Sequence, residues 1–166
     1  MELMKYNIGA GNHPLEGFVN LDMGDDITLT GKRAELIYTS HFLEYFDKTE
    51  VLNLLKCWYF ALADGGELYI SVPDFAKVVD IYNKEGIIMD GALYGKMNAG
   101  IEVTTKYSKE REFLPGNNPI YHKSTFDRKT LREALLLAGF RNIKEFEPWH
   151  NDCSQDPISL NLQCRK

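Results

Sequence analysis

The sequence predicts an α/β fold built on a mostly parallel β-sheet. Short apolar segments typical of buried strands alternate with longer amphipathic segments typical of helices, and this order favours a parallel sheet. A glycine turn, Gly9-Ala10-Gly11, follows the first strand, and the second strand ends on Asp22. At 166 residues the chain suits a single domain over 1–166.

Composition limits the class of protein. Hydrophobic residues make up 44% and charged residues 26% of the chain, which is ordinary for a globular protein. A net charge of −5 argues against general nucleic-acid binding, which needs a basic surface. The three cysteines form no metal-binding spacing, and without a recognisable signal peptide they fit a reducing cytoplasm. Because no apolar run approaches the ~20 residues of a membrane span, we expect no membrane insertion.

The first two strands are predicted at Leu3–Ile8 and Phe18–Asp22. Two glycines separated by one small residue allow a tight turn and leave backbone amides uncovered. The connection is short for a parallel crossover, so it is either a bare loop or the turn of an antiparallel hairpin. If the strands are parallel, the glycine turn and Asp22 meet at the carboxyl edge of the sheet, where nucleotide-like ligands bind.

Two more strands are predicted next, at Asp26–Thr30 and Ala34–Ser40. The apolar and aromatic centre of Ala34–Ser40 suits the interior of a sheet. His41 follows directly, so Ser40 and His41 are expected at the same carboxyl edge as the glycine turn.

A long helix is predicted to begin after Asp47. Asp47 is a favourable N-cap, and Glu50 three residues later completes a capping box. Apolar side chains then recur at the spacing of one helix face: Val51, Leu54, Leu55, Trp58 and Leu62. Gly65-Gly66 is predicted to end the helix, and Glu67–Val72 to form the fifth strand.

From Asp74 to Lys123 the periodicity weakens. Helices are predicted over Phe75–Tyr82 and Met89–Asn98, and Thr104–Pro119 reads as an irregular, charged segment. A segment this long within a small domain is typical of a lid or a substrate-binding region, and we assign 74–123 to that role.

The C-terminal part predicts a helix, a strand and a last strand. Asp127 caps the helix, Gly139 ends it, and Phe140–Phe146 is the sixth strand. Ile158–Cys164 alternates apolar and polar residues, which indicates an antiparallel or edge strand with one wet face. The simplest sheet is therefore mostly parallel, with one antiparallel strand at its end.

Several motifs spread over nearly the whole chain carry a family resemblance. They are Asn7-Ile8-Gly9-Ala10-Gly11, Gly17 to Asp22, Ile37 to Tyr45, Leu62 to Asp74, and Tyr121 to Phe126 with Ala138-Gly139-Phe140. In this order they resemble the class I S-adenosylmethionine-dependent methyltransferases, and most of all a small bacterial group known as type 11. The resemblance implies a Rossmann-like methyltransferase fold with seven strands, the last antiparallel.

The chain departs from the family because it lacks a full helix between strands one and two and any helix before strand one. We therefore expect the cofactor to be held more loosely, or to need the 74–123 region or a partner subunit to cover it.

The resemblance implies that S-adenosylmethionine is the cofactor and assigns its binding residues. Gly9, Ala10 and Gly11 would pass under the methionine part of the cofactor. Asp22 would hold the ribose hydroxyls, and Met23 would lie beside the adenine.

Further roles follow from the same resemblance. Thr30 would line the other side of the adenine, and Ser40 and His41 would lie near the sulfonium. Methyl transfer is a direct displacement that positioning alone can accelerate strongly. A hydroxyl acceptor also needs a base, and His41 is the first catalytic candidate and His122 the second. The alternative for His41 is that it only caps the next helix; Glu44 could orient it or stabilise the helix start.

Nothing in the sequence identifies the methyl acceptor or the oligomeric state; we expect a small molecule or a saccharide. One alternative is a non-catalytic module that binds a nucleoside or a protein on the same fold. A second is a nicotinamide-dependent oxidoreductase, whose fingerprint needs a third glycine opening a helix and an acid ~20 residues further on. Here Asn12-His13-Pro14 stands where that helix would begin, and Asp22 comes too early.

Overall fold

The computed structural model describes residues 3–25, 27, 31–95 and 121–166. Its strands are β1 (Met4–Ile8), β2 (Val19–Leu21), β3 (Ala34–Ser40), β4 (Leu62–Pro73), β5 (Arg141–Glu145) and β6 (Ser159–Arg165). Its helices are α1 (Lys48–Ala61), α2 (Phe75–Glu85), α3 (Asp90–Tyr94) and α4 (Arg128–Ala138). Within the described residues the strands form one mixed sheet of six, in the order β2-β1-β3-β4-β6-β5.

The first four strands are parallel to one another. β1 pairs in parallel with β2 on one side and with β3 on the other, and β3 pairs in parallel with β4. The crossover from β1 to β2 is the irregular segment 9–18, which contains no helix. Of the two possibilities that the sequence left open, the bare parallel crossover is therefore the correct one.

The last strand is placed differently from the prediction. β6 runs antiparallel to both β4 and β5 and lies between them, not at the end of the sheet. Its predicted wet face is also wrong, since Ser159 is buried and Asn161 and Gln163 are half-buried. The predicted strand Asp26–Thr30 lies outside the described residues except for Ile27, which is buried.

The boundary between α1 and β4 also differs from the prediction. The helix ends at Ala61 and the strand begins at Leu62, five residues before the predicted start. The pairing with β3 jumps here, because Ala34 lies opposite Leu62 whereas Leu36 lies opposite Glu67. Gly65, with a φ of +77°, belongs to this irregular stretch of strand. The glycines therefore serve a bulge in β4 and do not end the helix.

α1 and α4 pack together on one face of the sheet. Both predicted N-caps are confirmed, since Asp47 and Asp127 each complete a capping box. The apolar stripe of α1 is confirmed as well, because Trp58 is 1% exposed within the core. The largest fully buried side chains of this core are Trp58, Tyr6, Phe140, Ile37, Leu43, Leu55, Leu62, Leu68, Ile70, Leu131 and Leu135.

The described parts of the 74–123 region form a small second cluster. Val78 of α2 and Met89 before α3 pack against Ile158, just before β6. The predicted helix Met89–Asn98 is present as α3 up to Tyr94; its last residues and Thr104–Pro119 lie outside the described residues. Among the helices that the structure describes, none has the length and apolarity needed to cross a bilayer.

Candidate functional site

The carboxyl ends of β2, β1 and β3 lie side by side and form a rim at one edge of the sheet. Ile8 at the end of β1 pairs with Leu21 on one side and with Thr39 on the other. The residues that follow, Gly9, Asp22 and Ser40, therefore emerge at the same edge. This common rim is the geometry on which the predicted site depends.

The glycine turn packs closely against the segment that follows β3. Gly9 has a φ of +77°, and a Cβ added to it would lie 2.5 Å from the ring of Phe42. The amides of Gly9 and Ala10 both donate to the carbonyl of Leu21, at 2.9 and 3.0 Å. These two amides hold the ends of β1 and β2 together. At Gly11, in contrast, an added Cβ would meet none of the described atoms within 4 Å, so the turn opens outward there.

Asp22 is exposed at the end of β2. Its Oδ1 accepts a hydrogen bond from the amide of Met23 at 2.8 Å, and its own amide donates to Asp25 Oδ2 at 2.7 Å. The side chain of Met23 is 42% exposed. Thr30, predicted near the adenine, lies outside the described residues. Asp22 and Met23 thus directly follow Leu21, whose carbonyl accepts from the amides of the glycine turn.

His41 follows the half-buried Ser40 but turns its ring into the protein. Its backbone has a φ of +51°, a left-handed conformation that is uncommon for a residue with a side chain. The imidazole is buried, with Nε2 2.7 Å from Ser159 Oγ and Nδ1 3.7 Å from Glu44 Oε1. His41 is therefore at the rim by its backbone, whereas its ring reaches beneath the rim to β6.

His122 reaches the same carboxylate from the other side. Its side chain is 1% exposed, and its Nε2 lies 3.8 Å from Glu44 Oε1. Nδ1 is 3.2 Å from the carbonyl oxygen of Ala92 in α3, and the ring packs edge-on against Tyr45. The structure thus gathers the two predicted catalytic histidines around Glu44, which the sequence had linked only to His41.

Ser159, the partner of His41, could not be identified from the sequence. Its hydroxyl also contacts the carbonyl of Cys153, at 2.6 Å. Alternation along the last strand placed Ser159 on a wet face, so no sequence signal pointed to a buried role.

The connection between β5 and β6, residues 146–158, was also missed. Tyr38 of β3 donates to Asp152 Oδ2 at 2.6 Å and contacts Ser154 Oγ at 3.2 Å. Burial first, and the negative charge of Asp152 second, raise the pKa of Tyr38 well above its ordinary value. Trp149 and His150 pack against the Tyr38 ring, at centroid distances of 5.3 and 4.8 Å. This irregular connection therefore covers the sheet beneath the rim.

The β1–β2 crossover is fixed on the same side of the sheet. Asn7 of β1 donates to the His13 carbonyl at 3.1 Å and to Asn20 Oδ1 at 2.9 Å. Phe18 meets the ring of His150 at a centroid distance of 6.2 Å. The crossover and the β5–β6 connection thus touch each other.

The described residues include no group of three or more His, Cys, Asp or Glu side chains arranged to bind a metal ion. At the rim the described residues present instead backbone and the exposed carboxylate of Asp22; Ser40 is half-buried there, and its hydroxyl oxygen is buried. Groups of this kind suit an uncharged polar ligand with hydroxyls, such as a ribose.

No family model matches the sequence, and no curated protein matches it either. Solved structures do match. An S-adenosylmethionine-dependent methyltransferase from Archaeoglobus fulgidus is similar over 99% of this chain and 86% of its own, with a TM-score of 0.55 and 16% identity. A Thermotoga maritima methyltransferase, described as a possible histamine N-methyltransferase, is similar over 100% of this chain and 83% of its own, with a TM-score of 0.54 and 16% identity.

An O-methyltransferase family protein from Burkholderia thailandensis is similar over 99% of this chain but only 51% of its own, with a TM-score of 0.55 and 9% identity. These similarities define the fold: the chain has the mixed α/β, Rossmann-like fold of the class I S-adenosylmethionine-dependent methyltransferases.

Proposed function

We propose that this protein transfers a methyl group from S-adenosylmethionine to a small-molecule or saccharide acceptor. The observation that carries the proposal is the rim, where Gly9, Asp22 and Ser40 follow three adjacent parallel strands. The structural neighbours with the same fold are S-adenosylmethionine-dependent methyltransferases, which supports this assignment.

The residues of the rim fit the proposed cofactor. Gly9, Ala10 and Gly11 would pass under its methionine part, and the open space at Gly11 leaves room for it. Exposed Asp22 would accept hydrogen bonds from the ribose hydroxyls, with Met23 beside the adenine. Thr30 remains a proposed contact to the adenine that lies outside the described residues.

When bound, the cofactor supplies an electrophilic methyl group on a sulfonium. The chain has to hold the acceptor in line with that group and, for a hydroxyl acceptor, receive its proton. Ser40 is proposed to face the sulfonium. His41 and His122 are proposed to take up the proton, and the contact of both rings with Glu44 supports a shared role.

The proposal predicts selective binding of S-adenosylhomocysteine, the demethylated cofactor. A ligand present at 100 times its Kd stabilises the folded state by about 2.7 kcal/mol, so the melting temperature should rise clearly. Asp22→Ala should remove most of this rise. The control is Glu16→Ala, which removes an exposed carboxylate of the β1–β2 crossover and should leave the rise in melting temperature intact. A full rise in the Asp22→Ala protein would end the ribose assignment.

One observation favours a second candidate, a non-catalytic nucleoside- or protein-binding module. The rings of His41 and His122 are both buried, so neither imidazole is exposed at the rim. A melting temperature raised by S-adenosylhomocysteine, without methyl transfer to any hydroxyl, amine or thiol acceptor offered, would favour this module. A rise with NAD alone would instead favour the nicotinamide-dependent oxidoreductase.

A further inference from the structure

The contacts of Ser159 determine which nitrogen of His41 carries a proton. A carbonyl oxygen only accepts, so the Ser159 hydroxyl donates its single proton to the carbonyl of Cys153 at 2.6 Å. The same hydroxyl oxygen lies 2.7 Å from His41 Nε2. With its proton already donated, Ser159 can only accept from His41. The proton of the neutral His41 ring is therefore on Nε2.

The contact of His122 with α3 fixes that ring in the same way. Nδ1 lies 3.2 Å from the carbonyl oxygen of Ala92, which again can only accept. The proton of the neutral His122 ring is therefore on Nδ1. Each histidine thus donates outward to an oxygen on a different element, β6 for His41 and α3 for His122.

The two remaining nitrogens both face Glu44. His41 Nδ1 and His122 Nε2 lie 3.7 and 3.8 Å from Glu44 Oε1, and all three side chains are 1–2% exposed. In the neutral rings these two nitrogens carry no proton. A proton added to either one creates an imidazolium beside a buried carboxylate, where the attraction between opposite charges is much stronger than in water.

We propose that His41, Glu44 and His122 form a buried proton-binding site, which takes up a proton on the ring nitrogens that face Glu44. The site is defined by its own contacts and does not depend on the proposed methyl transfer. For that reaction it would identify Nδ1, and not Nε2, as the atom at which His41 receives a proton.

Two lysines near this site direct their ammonium groups to other oxygens. Lys123 directs its ammonium to Glu50 at 3.2 Å, while its amide donates to the Glu44 carbonyl. Lys77 of α2 donates to the carbonyl of Ser159 at 2.7 Å and not to the Ser159 hydroxyl. Tyr45 packs on His122 through its ring.

The test is a pH titration of the histidine side chains by nitrogen-15 NMR, on the full chain without cofactor. The chain has four histidines, and His41→Gln and His122→Gln assign the two of interest. At high pH, His41 should show the tautomer protonated at Nε2 and His122 the tautomer protonated at Nδ1. At least one of the two should become protonated at a higher pH than the ~6.5 of a histidine in water.

Glu44→Gln keeps the shape of the side chain and removes its charge. It should lower that protonation midpoint by about one to three pH units, the usual effect of an opposite charge at this range. His150 in the same spectra should not move. Glu35→Gln, which removes an exposed carboxylate paired with Lys5, should change neither ring of the site.

The opposite tautomer in either ring would overturn the proposal, and so would midpoints for both rings at or below the ordinary value. An unchanged midpoint in Glu44→Gln would do the same. If that variant does not fold, the tautomers and midpoints of the unaltered protein still decide. Since no cofactor is present, none of these results depends on whether the rim binds S-adenosylmethionine.

Discussion

The two faces of the sheet are covered by different kinds of structure. Side chains opposite one another in neighbouring strands point to the same face, and successive residues alternate between faces. Ile37, Leu68 and Cys164 form one such row, and Tyr38, Tyr69 and Gln163 form the next. The first row lies under α1 and α4; Tyr38 and Tyr69 of the second lie under the β5–β6 connection.

The helix-covered face is held mainly by apolar contact. Trp58, Leu55 and Leu131 are at most 1% exposed and belong to one continuous core. Two long helices suit this task because each presents an apolar stripe along its whole length.

The other face is held by hydrogen bonds and ring contacts. Tyr38 bonds to Asp152 and Ser154, both buried, while Trp149 above it is still 45% exposed. The β1–β2 crossover, which carries the glycine turn, lies on this polar face. The comparison therefore suggests that the helix-covered face supplies most of the stability, whereas the polar face determines how the rim is held.

Emptying the core of the helix-covered face should cost the most stability. Trp58→Ala empties a fully enclosed site in the core and should lower the free energy of unfolding by about 3–5 kcal/mol. Urea unfolding followed by circular dichroism measures this loss. Phe60→Ala, on the same helix but with a side chain 68% exposed, should cost less than about 0.5 kcal/mol. Similar losses in the two variants would contradict the assignment of this core.

A smaller effect is expected on the polar face. Tyr38→Phe keeps the ring contacts but leaves buried Asp152 without its donor at 2.6 Å, which should cost about 1–3 kcal/mol. Tyr69→Phe is the matched control, because its hydroxyl bonds at 3.2 Å to the less buried Glu67. If Tyr69→Phe lost as much stability as Tyr38→Phe in the same urea experiment, the hydrogen bond of Tyr38 to Asp152 would have no special part in holding the polar face.

The helix-covered face could be predicted because its signals are local. A capping box at Asp47 and the spacing of Val51, Leu55 and Trp58 both lie within one short segment, and each indicates the same helix. The rim was predictable for a similar reason, since glycines and Asp22 directly follow strand-like segments. The parallel direction of β1 and β2 was left open, because it depends on how the chain crosses the sheet.

The polar face could not be predicted, since its contacts join distant parts of the chain. Tyr38 and Asp152 are 114 residues apart, and Asp152 lies in a segment without periodicity. Alternation in the last strand showed which residues share a face but not what covers that face. Ser159 was therefore expected to be wet, although it is 4% exposed and bonded to His41.

His150 should give the polar face a weak dependence on pH. His150 packs against Tyr38, Phe18 and Trp149 on the polar face. Burial lowers its pKa from 6.5, and the nearby charge of Asp152 offsets only part of this shift. Below pH 6.5 the unfolded chain therefore binds a proton at this residue more readily than the folded protein does. The contribution of the neutral His150 ring to the free energy of unfolding is complete above pH 6.5. It is lost progressively as the pH falls through the lowered pKa.

Urea unfolding at pH 7.5 and 5.5 measures this contribution. His150→Phe keeps an aromatic ring on Tyr38 but cannot take up a proton, so the variant should lose less stability on acidification than the unaltered protein. His13→Gln removes an exposed histidine from the β1–β2 crossover and should leave the pH dependence unchanged. Equal losses in His150→Phe and the unaltered protein would show that protonation of this ring does not weaken the cover of the polar face. The same comparison can be made in the Trp58→Ala background. If His150→Phe again reduces the stability lost on acidification by the same amount, the two faces contribute to stability independently, as expected for distant sites without shared partners.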